Sequence, residues 1–292
     1  MRTSYLFILF FGLIVTISQC KSDKTNDNAV TDTEFTDTIQ QMQFLLPSPD
    51  EMLSEIFTDK IELNPVYVNP LENAEKYIDT RYQALNLGVY IADFAYISFT
   101  DNMQKEIEYL NVIKTLSEKV NLFGIMDEKL LTRIQSNLTY SDSLKQISQE
   151  MYYELSDVLE NTNRNNIFTL ISTGTIVESL YLVSMNVKDY NEFEDIITRM
   201  FEQKFVFENF YDNAMVFSND TYVKTILVQL DRLKQSFEEL QKSETETKVT
   251  KTEGNDFKIE GGVKFIITEN AFNKFKEDIT SIRSEIINAS NN

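Results

Sequence analysis

The chain is 292 residues long, with 27 basic and 46 acidic side chains, a net charge of −19, a hydrophobic fraction of 42%, no His, no Trp and one Cys. Lack of imidazole excludes Ser-His-Asp and Cys-His nucleophilic sites and the usual His-containing zinc, non-haem iron and copper centres; one Cys excludes an internal disulfide. The acid excess argues against nucleic acid as a partner, and only 7 Gly and 4 Pro to build turns favour long helices, so the composition predicts an all-α fold without a cofactor.

The chain opens with Arg2, a Thr3-Ser4 pair and an apolar run from Tyr5 to Ile17, followed by Ser18-Gln19-Cys20. That run is shorter than the roughly 20 residues a helix needs to span a bilayer, and it matches a signal-peptide core of about 7–15 residues. Ile17-Ser18-Gln19-Cys20 resembles bacterial lipoprotein leaders, in which the Cys becomes the lipidated first residue of the mature chain. Gln19 stands where Gly, Ala or Ser is common, a position at which Bacteroidetes leaders look permissive. The resemblance implies a signal peptide over residues 1–19, an acyl chain such as palmitate on Cys20, and a lipid membrane as partner. It further implies a domain held outside the cytoplasm, at the outer membrane on its periplasmic or surface face. Residues 20–43 are acidic and poor in apolar side chains and read as a flexible tether. A coil of about 23 residues has an end-to-end distance of roughly 25–30 Å.

Residues 44–292 read as one helical domain. Ser48-Pro49-Asp50-Glu51 predicts a helix start, with Ser48 as cap, Pro49 in the first turn and Glu51 closing a capping box. Asn69-Pro70-Leu71-Glu72 repeats the device. Apolar residues then recur at steps of three and four, as Ile107, Leu110, Ile113, Leu116 and Val120, and again as Leu144, Ile147, Met151, Leu155 and Val158. Val223, Ile226, Leu230, Leu233, Phe237 and Leu240 form the most regular stripe, and Phe272, Phe275, Ile279, Ile282 and Ile286 form the last. These are buried helix faces, and each is too short for a coiled-coil seam, so packing inside one domain is expected. Residues 243–256 read as an exposed loop. Gly261-Gly262, between Phe257-Lys258-Ile259 and Val263-Lys264-Phe265, predicts the turn of a small β-hairpin near residues 257–267.

Two apolar segments carry the residues with the most chemistry. Leu87-Gly88 through Asp93 to Tyr96, and Thr173-Gly174 through Glu178 to Tyr181, each join one Gly to an acid four or five residues later and a Tyr three beyond it. An acid inside an apolar helix must be paired, hydrogen-bonded or neutral. Asp93 and Glu178 are therefore the candidate site, with Tyr96 and Tyr181 the nearest partners by sequence.

The stretch from Leu46-Pro47-Ser48-Pro49, through Asn69-Pro70-Leu71-Glu72-Asn73-Ala74, to Ala84–Asp93, together with Gly174–Tyr181, resembles a family of uncharacterised helical lipoproteins of Bacteroidetes. The resemblance covers most of residues 44–240. It implies location and fold and supplies no catalytic residues. Two functions compete on the sequence alone. The first is a non-enzymatic, lipid-anchored module that binds an envelope protein, a glycan or a small ligand; no phosphate-cradling Gly-rich loop or calcium loop is visible. The alternative is a carboxylate-only hydrolase or lyase acting on glycans, with Asp93 and Glu178 as general acid and base.

Overall fold

A computed structural model describes residues 46–57, 61–100, 102–122, 128–137, 140–238, 241–251 and 257–288. They belong to one compact unit, Phe44–Asn292. The leader, Cys20 and the tether lie outside the described residues, as does Leu240 of the predicted stripe.

The fold is all-α apart from one hairpin. Helix α1 (Pro49–Ile56) begins as the sequence predicts: Ser48 Oγ accepts from the Glu51 N–H at 3.3 Å, and Glu51 Oε2 accepts from the Ser48 N–H at 2.8 Å. The second predicted start is corrected. Leu71–Lys76 is a single stretch of 3-10 helix after Pro70, without a side-chain cap. Asn69 is wholly buried, and its side-chain amide is used elsewhere. Helix α2 (Thr80–Ile97) is capped by Asp79, whose side chain accepts from the Arg81 N–H, and α3 (Met103–Lys119) by Asn102. There follow α4 (Glu128–Asn137), α5 (Ser141–Asn161), α6 (Asn165–Asn186), α7 (Glu194–Glu202), α8 (Lys204–Val216), α9 (Val223–Glu238) and α10 (Glu269–Ile287).

Helices α2 and α6 are apolar on almost every side, and the other helices wrap around them. By length and hydropathy α6 would cross a membrane, yet nearly all of it is buried inside the domain, as befits a helix without a polar face. The two central helices run in the same sense, pairing Gly88 with the Ile171–Thr175 turn and, farther along, Tyr96 with Asn186. Helix α3 packs on α2, α5 on α6, and α10 on both. The stripe of α9 faces α10, α8 and α6 of its own chain, with Val223, Ile226, Leu230, Leu233 and Phe237 all buried.

Two asparagines end neighbouring helices. Asn121 after α3 and Asn163 after α5 have φ of 57° and 55°, the left-handed conformation that lets the next N–H reach back to the helix. Leu122 N–H donates to Ser117 O at 2.8 Å, and Arg164 N–H to Leu159 O at 2.7 Å. The Arg164 guanidinium then donates to Asn121 O and Val120 O, placing a cation on the negative end of α3.

The hairpin differs from expectation. Residues Gln241–Lys251 (β1) form a strand that takes in residues 243–251 of the segment 243–256 expected as an exposed loop, and Phe257–Ile266 (β2) is its antiparallel partner. Gly261-Gly262 is inside β2 and does not form the turn. Gly262 pairs with Thr245, and a bulge between Thr245 and Lys248 places two β1 residues opposite Gly261.

Candidate functional site

The structure brings Asp93 on α2 and Glu178 on α6 together, one step beyond the point where Gly88 and Gly174 let those helices touch. Both acids have 0% exposure. Glu178 is close enough to Asp93 to be the leading charge acting on its carboxyl. The third member is Arg283 of α10, whose Nε donates to Glu178 Oε2 at 2.7 Å and whose Nη2 donates to Glu178 Oε1 at 2.8 Å. Its Nη2 also donates to Tyr67 O at 3.1 Å, and the guanidinium lies over the Tyr181 ring, 4.1 Å from the centroid. Asp93 Oδ2 accepts from the Asn69 N–H at 3.1 Å.

Protonation follows from this inventory. Burial pushes the Asp93 carboxyl well above its ordinary pKa, and the adjacent Glu178 pushes it further, against the opposing pull of Arg283. Burial and Glu178 thus favour the neutral Asp93 carboxyl, whose Oδ1 has no hydrogen-bond partner. Burial opposes the charge on Arg283, but Glu178 outweighs it, and Arg283 holds its proton more firmly than usual. The cluster is then one anion, one cation and one neutral acid, with no net charge to strand in the core.

Comparisons with protein-family models, with curated proteins and with solved structures gave no match. The geometry alone must therefore say what the acids can do. Glycoside hydrolysis needs two carboxyls about 5–9.5 Å apart with the glycosidic bond between them. Here both acids are wholly buried, and Glu178 is clasped by Arg283. Grooves of 430 Å³ beside Phe57, Phe99 and Lys145, and of 540 Å³ along α7, are lined by neither acid. A cation at the acid pair would compete with the Arg283 guanidinium. Among the described residues, no group of three acids, His or Cys is arranged to hold a metal.

The two tyrosines chosen by sequence sit near the acids without bonding them. The Tyr96 hydroxyl donates to Asn64 O at 3.2 Å and meets the Asn186 amide, whose Nδ2 is 2.9 Å away. Tyr181 offers its ring to Arg283. The partners that the sequence reading missed are Arg283, Asn69 and Tyr67. Arg283 had a readable signal: it lies four residues beyond Ile279, inside the apolar stripe of α10, where a cation needs a buried anion.

Asn69 is the hub of a second network joined to the first. Its carbonyl accepts from Tyr109 Oη at 2.7 Å, its Oδ1 from Asn73 Nδ2 at 2.6 Å, and its Nδ2 donates to Tyr77 Oη at 3.2 Å. Tyr77 in turn donates to Ile287 O and Asn86 to Ile286 O, which satisfies the buried C-terminal carbonyls of α10. Burial pushes the Tyr77 and Tyr96 phenols up to about 12, so they remain donors at any physiological pH.

A separate buried acid holds α1 to α5. Asp50 is fully buried, and its Oδ2 accepts from Ser148 Oγ at 2.5 Å, while Tyr153 Oη donates to Glu51 Oε2 at 2.5 Å. Burial raises the Asp50 carboxyl to about 7 despite the Ser148 bond and the positive charge of Lys145.

Proposed function

We propose that this chain is a lipid-anchored cell-envelope protein whose helical domain is a non-enzymatic binding module. The observation that carries the reading is the apolar leader ending at Cys20, the only cysteine in the chain. The tether then lifts the domain clear of the headgroups, facing the periplasm or the cell surface, where it engages an envelope protein or glycan.

The carboxylate-only enzyme loses support because Glu178 is engaged by Arg283 and Asp93 by the Asn69 N–H. A general acid or base must reach the substrate directly or through one water, and these carboxyls have no exposed atom to do so. Metabolic labelling with a fatty acid tests the anchor: wild type should take up label and partition into detergent, and Cys20→Ala should do neither. Equal labelling of both would defeat the assignment.

A further inference from the structure

The groove of 430 Å³ beside Lys145 is lined by the ends of α1 and α2 and by the first turn of α5. Phe57 caps α1, its N–H donating to Leu53 O at 2.8 Å. Phe99 and Thr100 close α2 in a tight turn, their N–H groups donating to Tyr96 O and Ile97 O. The two phenyl rings meet edge to face with 5.8 Å between centroids, and Phe57 meets Tyr96 in the same way. Buried Ile61 and half-buried Leu63, in the chain that follows α1, complete the apolar lining. Ser54 and Thr100 add hydroxyls.

Lys145 supplies the charge. Its Nζ lies 4.1 Å from the centroid of the Phe99 ring, a cation–π contact that leaves the ammonium with N–H donors to spare. The chain has 46 acids and 27 bases, yet among the described residues Lys145 forms no ion pair and no acid lines the groove. The acid on which its charge acts is Asp50, which is wholly buried and accepts from Ser148 Oγ one helical turn along α5. Burial raises that carboxyl to about 7, so below this pH it does little to cancel the ammonium. Small-molecule sites of this size join apolar walls to a few placed polar groups. One ammonium balances a monoanion, whereas a doubly charged phosphate would be left half compensated.

We propose that this groove binds a small monocarboxylate with an apolar body, of the aryl- or branched-alkyl-carboxylic acid class. The carboxylate pairs with Lys145, and the body packs against Phe57, Ile61, Leu63 and Phe99. The site is separate from the Asp93–Glu178–Arg283 cluster, and the inference depends neither on the lipid anchor nor on the envelope partner proposed above.

The test is equilibrium dialysis of the full chain in a non-ionic detergent, with empty micelles as the blank. Hydrocinnamate is the probe and hydrocinnamamide its uncharged isostere. The acid should bind with a Kd of about 1 mM or tighter, and the amide about tenfold more weakly. Lys145→Met, which keeps an apolar stem, should bind acid and amide alike. A footprint on wild type gives the second measurement and stands even if that variant does not fold. Saturating hydrocinnamate should slow acetylation of Lys145 by acetic anhydride about fivefold, while Lys234, which lies over the Tyr211 ring elsewhere on the domain, reacts as before. No binding at about 10 mM acid, equal binding of acid and amide by wild type, a preference for the acid retained in Lys145→Met, or an unprotected Lys145 would each overturn the proposal. Binding of glucuronate in place of hydrocinnamate would overturn it too, and would assign the groove to an acidic sugar.

Discussion

Gly88 and Gly174 each leave open the space that the backbone of the other's helix fills. A Cβ on Gly88 would lie 1.9 Å from Ile171 O, and a Cβ on Gly174 would lie 1.9 Å from Leu85 O. The contact is reciprocal and backbone to backbone, so no rotamer change can relieve it. It sets the spacing of α2 and α6, and through that spacing brings Asp93 to Glu178. Alanine has the higher helix propensity by about 1 kcal/mol, but overpacking against a fixed backbone costs about 1–3 kcal/mol and at this distance belongs at or beyond the upper end. Gly88→Ala and Gly174→Ala should each lose about 2 kcal/mol or more in urea unfolding; a gain in stability would contradict the close approach.

Members of the acid cluster should respond unequally to substitution. Arg283→Met leaves the Glu178 carboxylate buried without a cation, and breaking a buried pair this way costs about 3–5 kcal/mol. Burial favours the neutral form of Asp93, and Asp93→Asn replaces it by a neutral amide that can still accept from the Asn69 N–H, so the loss should stay below about 1 kcal/mol. Chemical denaturation of both variants checks the order. A larger loss for Asp93→Asn would mean that Asp93 is ionised in the folded protein.

Asp50 should make stability fall as pH rises. Its folded pKa of about 7 is above the ordinary 3.8, so between those values the folded state binds the extra proton. The contribution is fully present below about 4, declines as pH rises towards 7, and is lost above it. A shift of this size corresponds to about 4 kcal/mol at most. Asp220 and Glu285 have lowered pKa values and act in the opposite sense at the acid end. The quantity to measure is therefore the stability difference between wild type and Asp50→Asn, which should shrink or reverse from pH 4 to pH 8. A difference independent of pH would show that Asp50 does not carry the proton.

Leu230 is buried at the centre of the α9 stripe, against its own chain. Leu230→Asp places an unpaired carboxylate in that core and should unfold the domain or destabilise it by more than about 3 kcal/mol. Sedimentation and melting together check this. A folded monomer derived from a dimeric wild type would instead reveal an intermolecular seam.

What the sequence determined by itself was local. Steps of three and four placed the faces of α3, α5, α9 and α10, and Ser48 with Glu51 marked the start of α1, because helix period and capping depend on residues within a turn or two. The isolated acids were also legible, since burying Asp93 or Glu178 without a partner is too costly in any fold. Their partners were not: Arg283 is 105 residues beyond Glu178, and Asn69 meets Asp93 through its main chain, which no side-chain pattern reveals. The same reason explains the hairpin. Strand pairing of residues 241–251 with 257–266 depends on register between segments, so Gly261-Gly262 could be read locally as a turn although it sits inside β2. Tertiary structure alone decided that Asn69 would serve as a buried hub instead of a helix cap, because only the converging hydroxyls and amides of Tyr77, Asn73 and Tyr109 make its burial affordable.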